Sequence, residues 1–307
     1  MDRHGALAAI GSTPLVRLQR LVDADMAQVW VKMEAANPTG SYKDRMALAM
    51  IEGAQARGDL APGQAVVEYT GGSTGSSLAF VCAVKGIPLH IVTSDAFAAE
   101  KLATIAAFGA QLDVLPSPEG ITPTLIPAMM DRAAEIAEAE GAFATDQLHN
   151  TDMLDGYREL GVEVASQLEG SVDAFCSYVG TAGCFLGATR ALREHHPAMQ
   201  RVGIEPAESA VLSGGQPGTH RIEGGGIGIV PPLLSPDDLD RVEVVTTDDA
   251  FAMARRAARR EGIFSGPSTG ANLVVALRLA AELGPGHQVV TVQCDSGLKY
   301  LAGGLHG

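Results

Sequence analysis

The sequence predicts an α/β protein built as two three-layer αβα lobes, each a mostly parallel, twisted sheet with helices on both faces. Three observations carry this. Helical and strand patterning alternate from about residue 44 to residue 293. The alternation breaks near residue 147 and then resumes. A length of 307 residues suits about two domains or one large α/β unit at roughly 150 residues per domain. Repeated βα units imply parallel strands covered on both sides.

The first run opens with DRMALAMIEGAQARG (44–58), where Met46, Met50, Ile51 and Ala54 share one helical face and Gly58 closes the helix. A strand (65–69), a helix (74–86), a strand (89–93), a helix (97–109) ended by Gly109, and a strand (111–115) follow. A helix over 126–141 and a strand over 142–145 complete this run. The second run reads helix 151–168 with a central Gly161, strand 172–180, helix 184–196 and strands 201–206 and 241–246. Helices 248–262 and 268–284 and strand 288–293 end it.

Composition narrows the function. Lys and Arg number 22 against 36 Asp and Glu, a net charge of −14. Such a surface repels phosphate backbones and anionic lipid, so neither nucleic acid nor membrane is expected as a partner. No run approaches the roughly 20 apolar residues of a membrane span, and MDRHGALAAIGSTPL lacks a long apolar stretch of the secretory kind. The cysteines (Cys82, Cys176, Cys184, Cys294) have no CxxC spacing and the eight histidines no ligand spacing. No metal is expected, and a reducing cytoplasm fits.

Three loops carry candidate chemistry. Gly180-Thr181-Ala182-Gly183-Cys184 follows a strand and opens a helix. Its free N–H groups and the positive end of the helix dipole suit a phosphate, or the loop is an ordinary glycine turn. Neither the dinucleotide fingerprint nor a P-loop matches it. Thr70-Gly71-Gly72-Ser73-Thr74 offers hydroxyls and N–H groups for a carboxylate, or a simple helix cap. In NPTGSYKDR (37–45), Lys43 stands at a helix start, where the dipole would lower its pKa and favour a nucleophile. The alternative is a solvated surface lysine.

Taken together, IGSTPLVRL (10–18), NPTGSYKDR, TGGSTGSSLA (70–79), GTAGC (180–184), SGGQPGTHRIEGGGIGIVPPLL (213–234), EGIFSGPSTGANL (261–273) and CDSGLKYL (294–301) resemble, in order, the fold-type-II pyridoxal-phosphate enzymes. The cysteine synthase (O-acetylserine sulfhydrylase) and cystathionine β-synthase group is the nearest match. The resemblance implies the tryptophan synthase β-subunit-like fold with cofactor in the cleft. It implies a smaller substrate-binding lobe over 40–147 and a larger cofactor-binding lobe of 1–39 plus 148–307. It also implies pyridoxal 5′-phosphate held covalently by Lys43, which then serves as general base. Gly180, Thr181, Ala182, Gly183 and Cys184 would bind the cofactor phosphate. Thr70, Gly71, Gly72, Ser73, Thr74 and Gln147 would take the substrate carboxylate, with Gly224 facing the ring and Ser265 near it. Ser296 is the favoured partner of the ring nitrogen and Asp295 the alternative.

Ser73 departs from the group, which carries asparagine there to contact the cofactor's 3′-oxygen; the resemblance implies that the Ser73 hydroxyl donates to the cofactor instead, and Gly71 replaces a serine. The implied reaction is β-replacement on an activated serine (O-acetylserine, O-phosphoserine or serine) through an aminoacrylate, with sulfide or a thiol as nucleophile. A serine or threonine dehydratase and a non-catalytic amino-acid binder are the alternatives. Arg221 or Lys101 would supply charge to a phosphoserine site. A homodimer is implied.

Overall fold

The computed structural model describes residues 4–119, 122 and 124–306. The chain runs β1 (Leu15–Arg17), β2 (Gln28–Met33), α1 (Lys43–Arg57), β3 (Val66–Tyr69), α2 (Ser73–Lys85), β4 (Leu89–Ser94), α3 (Ala99–Ala107), β5 (Gln111–Leu115), α4 (Leu125–Glu140) and β6 (Phe143–Ala144). It continues α5 (Asp152–Gln167), β7 (Ala174–Tyr178), α6 (Gly183–His195), β8 (Gln200–Pro206), β9 (Arg241–Val245), α7 (Thr247–Glu261), α8 (Pro267–Leu283) and β10 (Gln288–Gln293). Short 3-10 turns fill several connections, one over Gly297–Tyr300.

The strands form a six-stranded sheet, β1-β2-β10-β7-β8-β9, and a four-stranded sheet, β5-β4-β3-β6. Every described pairing is parallel except β1 with β2, where Leu15 lies opposite Lys32. β7 is buried at all five positions, as expected of a strand covered on both faces. Gly58 and Gly86 end α1 and α2 in the left-handed conformation, at φ 81° and 67°, satisfying the last carbonyls.

The expected elements from residue 44 onward are present, with ends moved by a residue or two. β1 and β2 were not anticipated. β1 is only three residues long, and β2 reads QVWVKM, with a lysine where a buried strand should be apolar. Lys32 is buried there because it pairs with Glu163 at 2.6 Å and donates to the Thr13 carbonyl at 2.6 Å. Charge neutralisation, invisible in a local window, makes this a core strand.

The same cluster fixes the start of α1. Arg45, 1% exposed, forks onto Glu34 through Nε at 2.7 Å and Nη2 at 2.8 Å, and onto Glu163 at 2.8 Å. Burial pushes the Glu163 carboxyl up, but hydrogen bonds and charge from Arg45 and Lys32 outweigh it and hold Glu163 down at about 2. Helices α1 and α5 approach closely at Gly156, where a Cβ would meet the Arg45 carbonyl at 2.4 Å. The helix that begins at Lys43 is thus clamped one turn in.

Candidate active site

Ligands of parallel sheets sit beyond the carboxyl ends of strands, and the loops singled out lie there. Residues 70–72 join β3 to α2, 179–182 join β7 to α6, and 294–296 follow β10.

Lys43 opens α1 from a turn held by the last of these segments. Tyr42 N–H donates to the Cys294 carbonyl at 3.0 Å, and Ser41 Oγ donates to it at 3.3 Å. The Lys43 side chain is 8% exposed. Its Nζ lies 4.0 Å from Met46 Sδ and 5.1 Å from the Tyr42 ring centroid. No carboxylate pairs with it among the described residues. Burial pulls its pKa down, against smaller opposing influences of Cys184, Cys294 and Glu68. The lowered pKa expected from the sequence has burial as its largest cause. A lowered amine pKa favours a nucleophile and Schiff-base former.

The Gly180–Cys184 loop turns sharply into α6. Ala182 adopts φ 67° as N-cap, and no side chain caps the helix. The first-turn N–H groups therefore face the loop without an internal partner. Gly180 packs against the loop containing Gly224: a Cβ at 180 would meet the Gly224 carbonyl at 2.6 Å. Thr181 Oγ1 has only a long contact, 3.7 Å, to Met153 Sδ. Burial raises the Cys184 thiol well above its ordinary range, so this position offers its backbone rather than a thiolate.

The other lobe contributes Thr70, Gly71, Gly72, Ser73, Thr74 and Gln147. Thr70 Oγ1 accepts from Gly72 N–H at 3.1 Å. Thr74 Oγ1 donates to Gln147 Oε1 at 2.8 Å, bringing these two expected carboxylate contacts together. Glu68 holds the strand ends beneath them. It accepts from Thr145 Oγ1 at 2.6 Å, Gln147 N–H at 3.2 Å and Tyr69 N–H at 3.0 Å. Burial raises this carboxyl to about 7 despite those donors.

The residues around the last strand divide. Asp295 is buried, accepts from Tyr300 Oη at 2.6 Å on Oδ2, and has no partner on Oδ1. Ser265 Oγ is likewise buried without a partner. Ser296 is half-buried, and its hydroxyl accepts from Leu298 N–H at 3.3 Å to cap the turn over Gly297–Tyr300. Ser268 was not anticipated. Its hydroxyl bonds the Cys294 thiol and lies 3.7 Å from where a Gly224 Cβ would stand. The signal was the Ser of GPSTGANL, which reads as an ordinary helix start. Neither cation expected for a phosphoserine site is free: Lys101 pairs with Glu223, and exposed Arg221 stacks on Phe251 at 4.9 Å.

These residues fit a pyridoxal phosphate group. A buried amine without a counter-ion stands near Cys184 of an uncapped helix start, and the Gly224 loop closes on both Gly180 and Ser268.

Comparisons agree. A family model described as "Pyridoxal-phosphate dependent enzyme" matches residues 6–295. A cysteine synthase of Staphylococcus aureus is 40% identical over 299 residues, covering 97% of this chain and 95% of that protein. A probable cysteine synthase of Bacillus subtilis is 38% identical over 298 residues, covering 95% of this chain and 94% of that one. Among solved structures, O-acetylserine sulfhydrylase isoform 3 of Entamoeba histolytica superposes with a TM-score of 0.93 at 32% identity, covering 99% of this chain and 92% of its own. An O-ureido-L-serine synthase superposes with a TM-score of 0.92 at 34% identity, covering 99% and 95%.

Proposed function

We infer the function from one premise: this chain belongs to the pyridoxal-phosphate-dependent enzyme family. It is a cysteine synthase-like transferase that carries out pyridoxal-phosphate-dependent β-replacement on O-acetylserine. The relatives do not favour the dehydratase or the non-catalytic binder. Sulfide is the proposed nucleophile.

The observation that carries the reading is the buried, unpaired amine of Lys43 beside the phosphate loop. Bound pyridoxal phosphate supplies an electron sink for the substrate's α-carbon. Lys43 Nζ would hold the cofactor and would serve as the base that takes the proton from the substrate's Cα. Gly180, Thr181, Ala182, Gly183 and Cys184 donate N–H groups to the phosphate. Thr70, Gly71, Gly72, Ser73, Thr74 and Gln147 hold the α-carboxylate, and Gly224 with Ser265 borders the ring. For the ring nitrogen, Ser268 is proposed as a further candidate beside Ser296, favoured from the sequence, and Asp295, the alternative. The Ser268 hydroxyl is buried beside Gly224, whereas that of Ser296 caps a turn. A neutral hydroxyl does not hold a proton on the nitrogen, which restrains the electron sink and suits β-chemistry.

The strands of the four-stranded sheet fall within 66–144, which supports residues 40–147 as the smaller lobe and 1–39 with 148–307 as the larger. A homodimer is proposed from the resemblance. Cytoplasmic operation is proposed from four free, buried cysteines. Among the described residues no helix is long and apolar enough to cross a membrane.

The test is to supply purified holoenzyme with O-acetylserine and sulfide and assay cysteine and keto acid separately. Cysteine as the main product supports the reading. Keto acid alone, whether or not sulfide is present, contradicts it.

A further inference from the structure

Ser73, the residue that departs from the family's asparagine, opens α2 at the mouth of the carboxylate loop. Its hydroxyl accepts a hydrogen bond from Lys299 Nζ at 3.1 Å. Lys299 comes from the turn after β10, an interior strand of the six-stranded sheet. Its Cε passes 3.9 Å from where a Gly40 Cβ would stand.

The charges around Lys299 are accounted for. Asp44, Asp295 and Lys101 face it. Asp44 already accepts from Thr39 N–H at 2.8 Å and Thr39 Oγ1 at 2.5 Å. Asp295 accepts from Tyr300, and Lys101 is tied to Glu223. Among the described residues the Lys299 ammonium makes no ion pair. It instead stands at the positive end of the α2 dipole, where a cation is disfavoured until an anion arrives.

We propose that Lys299 is a specificity-determining residue that pairs with the α-carboxylate of the amino-acid substrate, and that the short side chain at position 73 lets it reach the loop. This rests on the reading of residues 70–74 as the carboxylate loop. Lys299 adds a charge-assisted hydrogen bond to the neutral donors there. A longer side chain at 73 would fill the space its Nζ now occupies, so Ser73 and Lys299 act as a matched pair.

The test compares holoenzymes of the wild type, Lys299→Met and Lys299→Arg. Binding of L-alanine and of L-alanine methyl ester is followed by the cofactor's absorbance. Alanine has no leaving group, and the ester has no negative charge. The proposal expects Lys299→Met to weaken alanine binding about tenfold, the low end for a hydrogen bond to a charged group. Ester binding, cofactor content and melting temperature stay unchanged, and Lys299→Arg recovers most of the loss. Unchanged alanine binding in Lys299→Met, or equal loss of both ligands, overturns the proposal while leaving the enzyme assignment intact. A wild type that takes up no cofactor overturns the functional reading, and this proposal with it.

Discussion

The ring of Phe97 lies directly on Gly71: a Cβ at 71 would come within 2.2 to 2.3 Å of three ring atoms. The ring belongs to the apolar cluster that includes Val67, Val92, Leu125 and Met129. The side chain missing from the loop between β3 and α2 is thus replaced by an aromatic from the segment before α3. Gly71→Ser forces the ring away and strains that packing. Overpacking of this kind costs about 1 to 3 kcal/mol. The expected result is a lowered melting temperature and a raised KM for O-acetylserine, both partly relieved by adding Phe97→Ala.

Glu68 ties this loop to pH. Its folded pKa is raised from an ordinary 4.5 to about 7, so the folded chain keeps a proton that the unfolded chain has lost. Its contribution is therefore fully present below about 4.5 and falls away as pH rises through about 7. Melting curves taken from about pH 5 to about pH 8 should show this decline in the wild type. Glu68→Gln, which cannot ionise, should flatten that part of the profile.

The Arg45 cluster has the opposite sign. Glu163 is held at about 2, below an ordinary 4.5. Its contribution is present above about 4.5 and is lost as pH falls toward about 2. Arg45→Met leaves the buried Glu34 carboxylate without its guanidinium. Breaking a buried pair in this way costs about 3 to 5 kcal/mol. Urea unfolding at neutral pH measures it, and cofactor retention should fall too, because Arg45 anchors the helix that starts at Lys43.

Ser268→Ala and Ser296→Ala separate the two hydroxyls considered for the ring nitrogen. Ser268→Ala should shift the absorbance of bound cofactor and reduce turnover. Ser296→Ala should leave the spectrum unchanged and only loosen the turn it caps, by about 1 kcal/mol.

Much of this was legible in the chain. The βα alternation is local and periodic, so strands such as QLDVL and QVVTVQ fall at their expected residues. The glycine loops were legible because each joins a strand to a helix. What a local stretch of sequence hides depends on distant partners. Lys32 hides β2 because Glu163 is 131 positions away in the chain. The largest cause of the lowered Lys43 pKa is burial, which a helix position alone does not reveal. Ser268 becomes distinct only when Gly224 and Cys294 fold against it, and Lys299 only when it meets Ser73.

The central claim is that Lys43 Nζ carries the cofactor, and borohydride reduction of the holoenzyme followed by peptide mapping tests it most directly. A stable pyridoxyl group is expected on the peptide containing Lys43 and on no other lysine. A label on Lys101 or Lys299 instead, or a Lys43→Ala protein that is labelled as fully as the wild type, would contradict it.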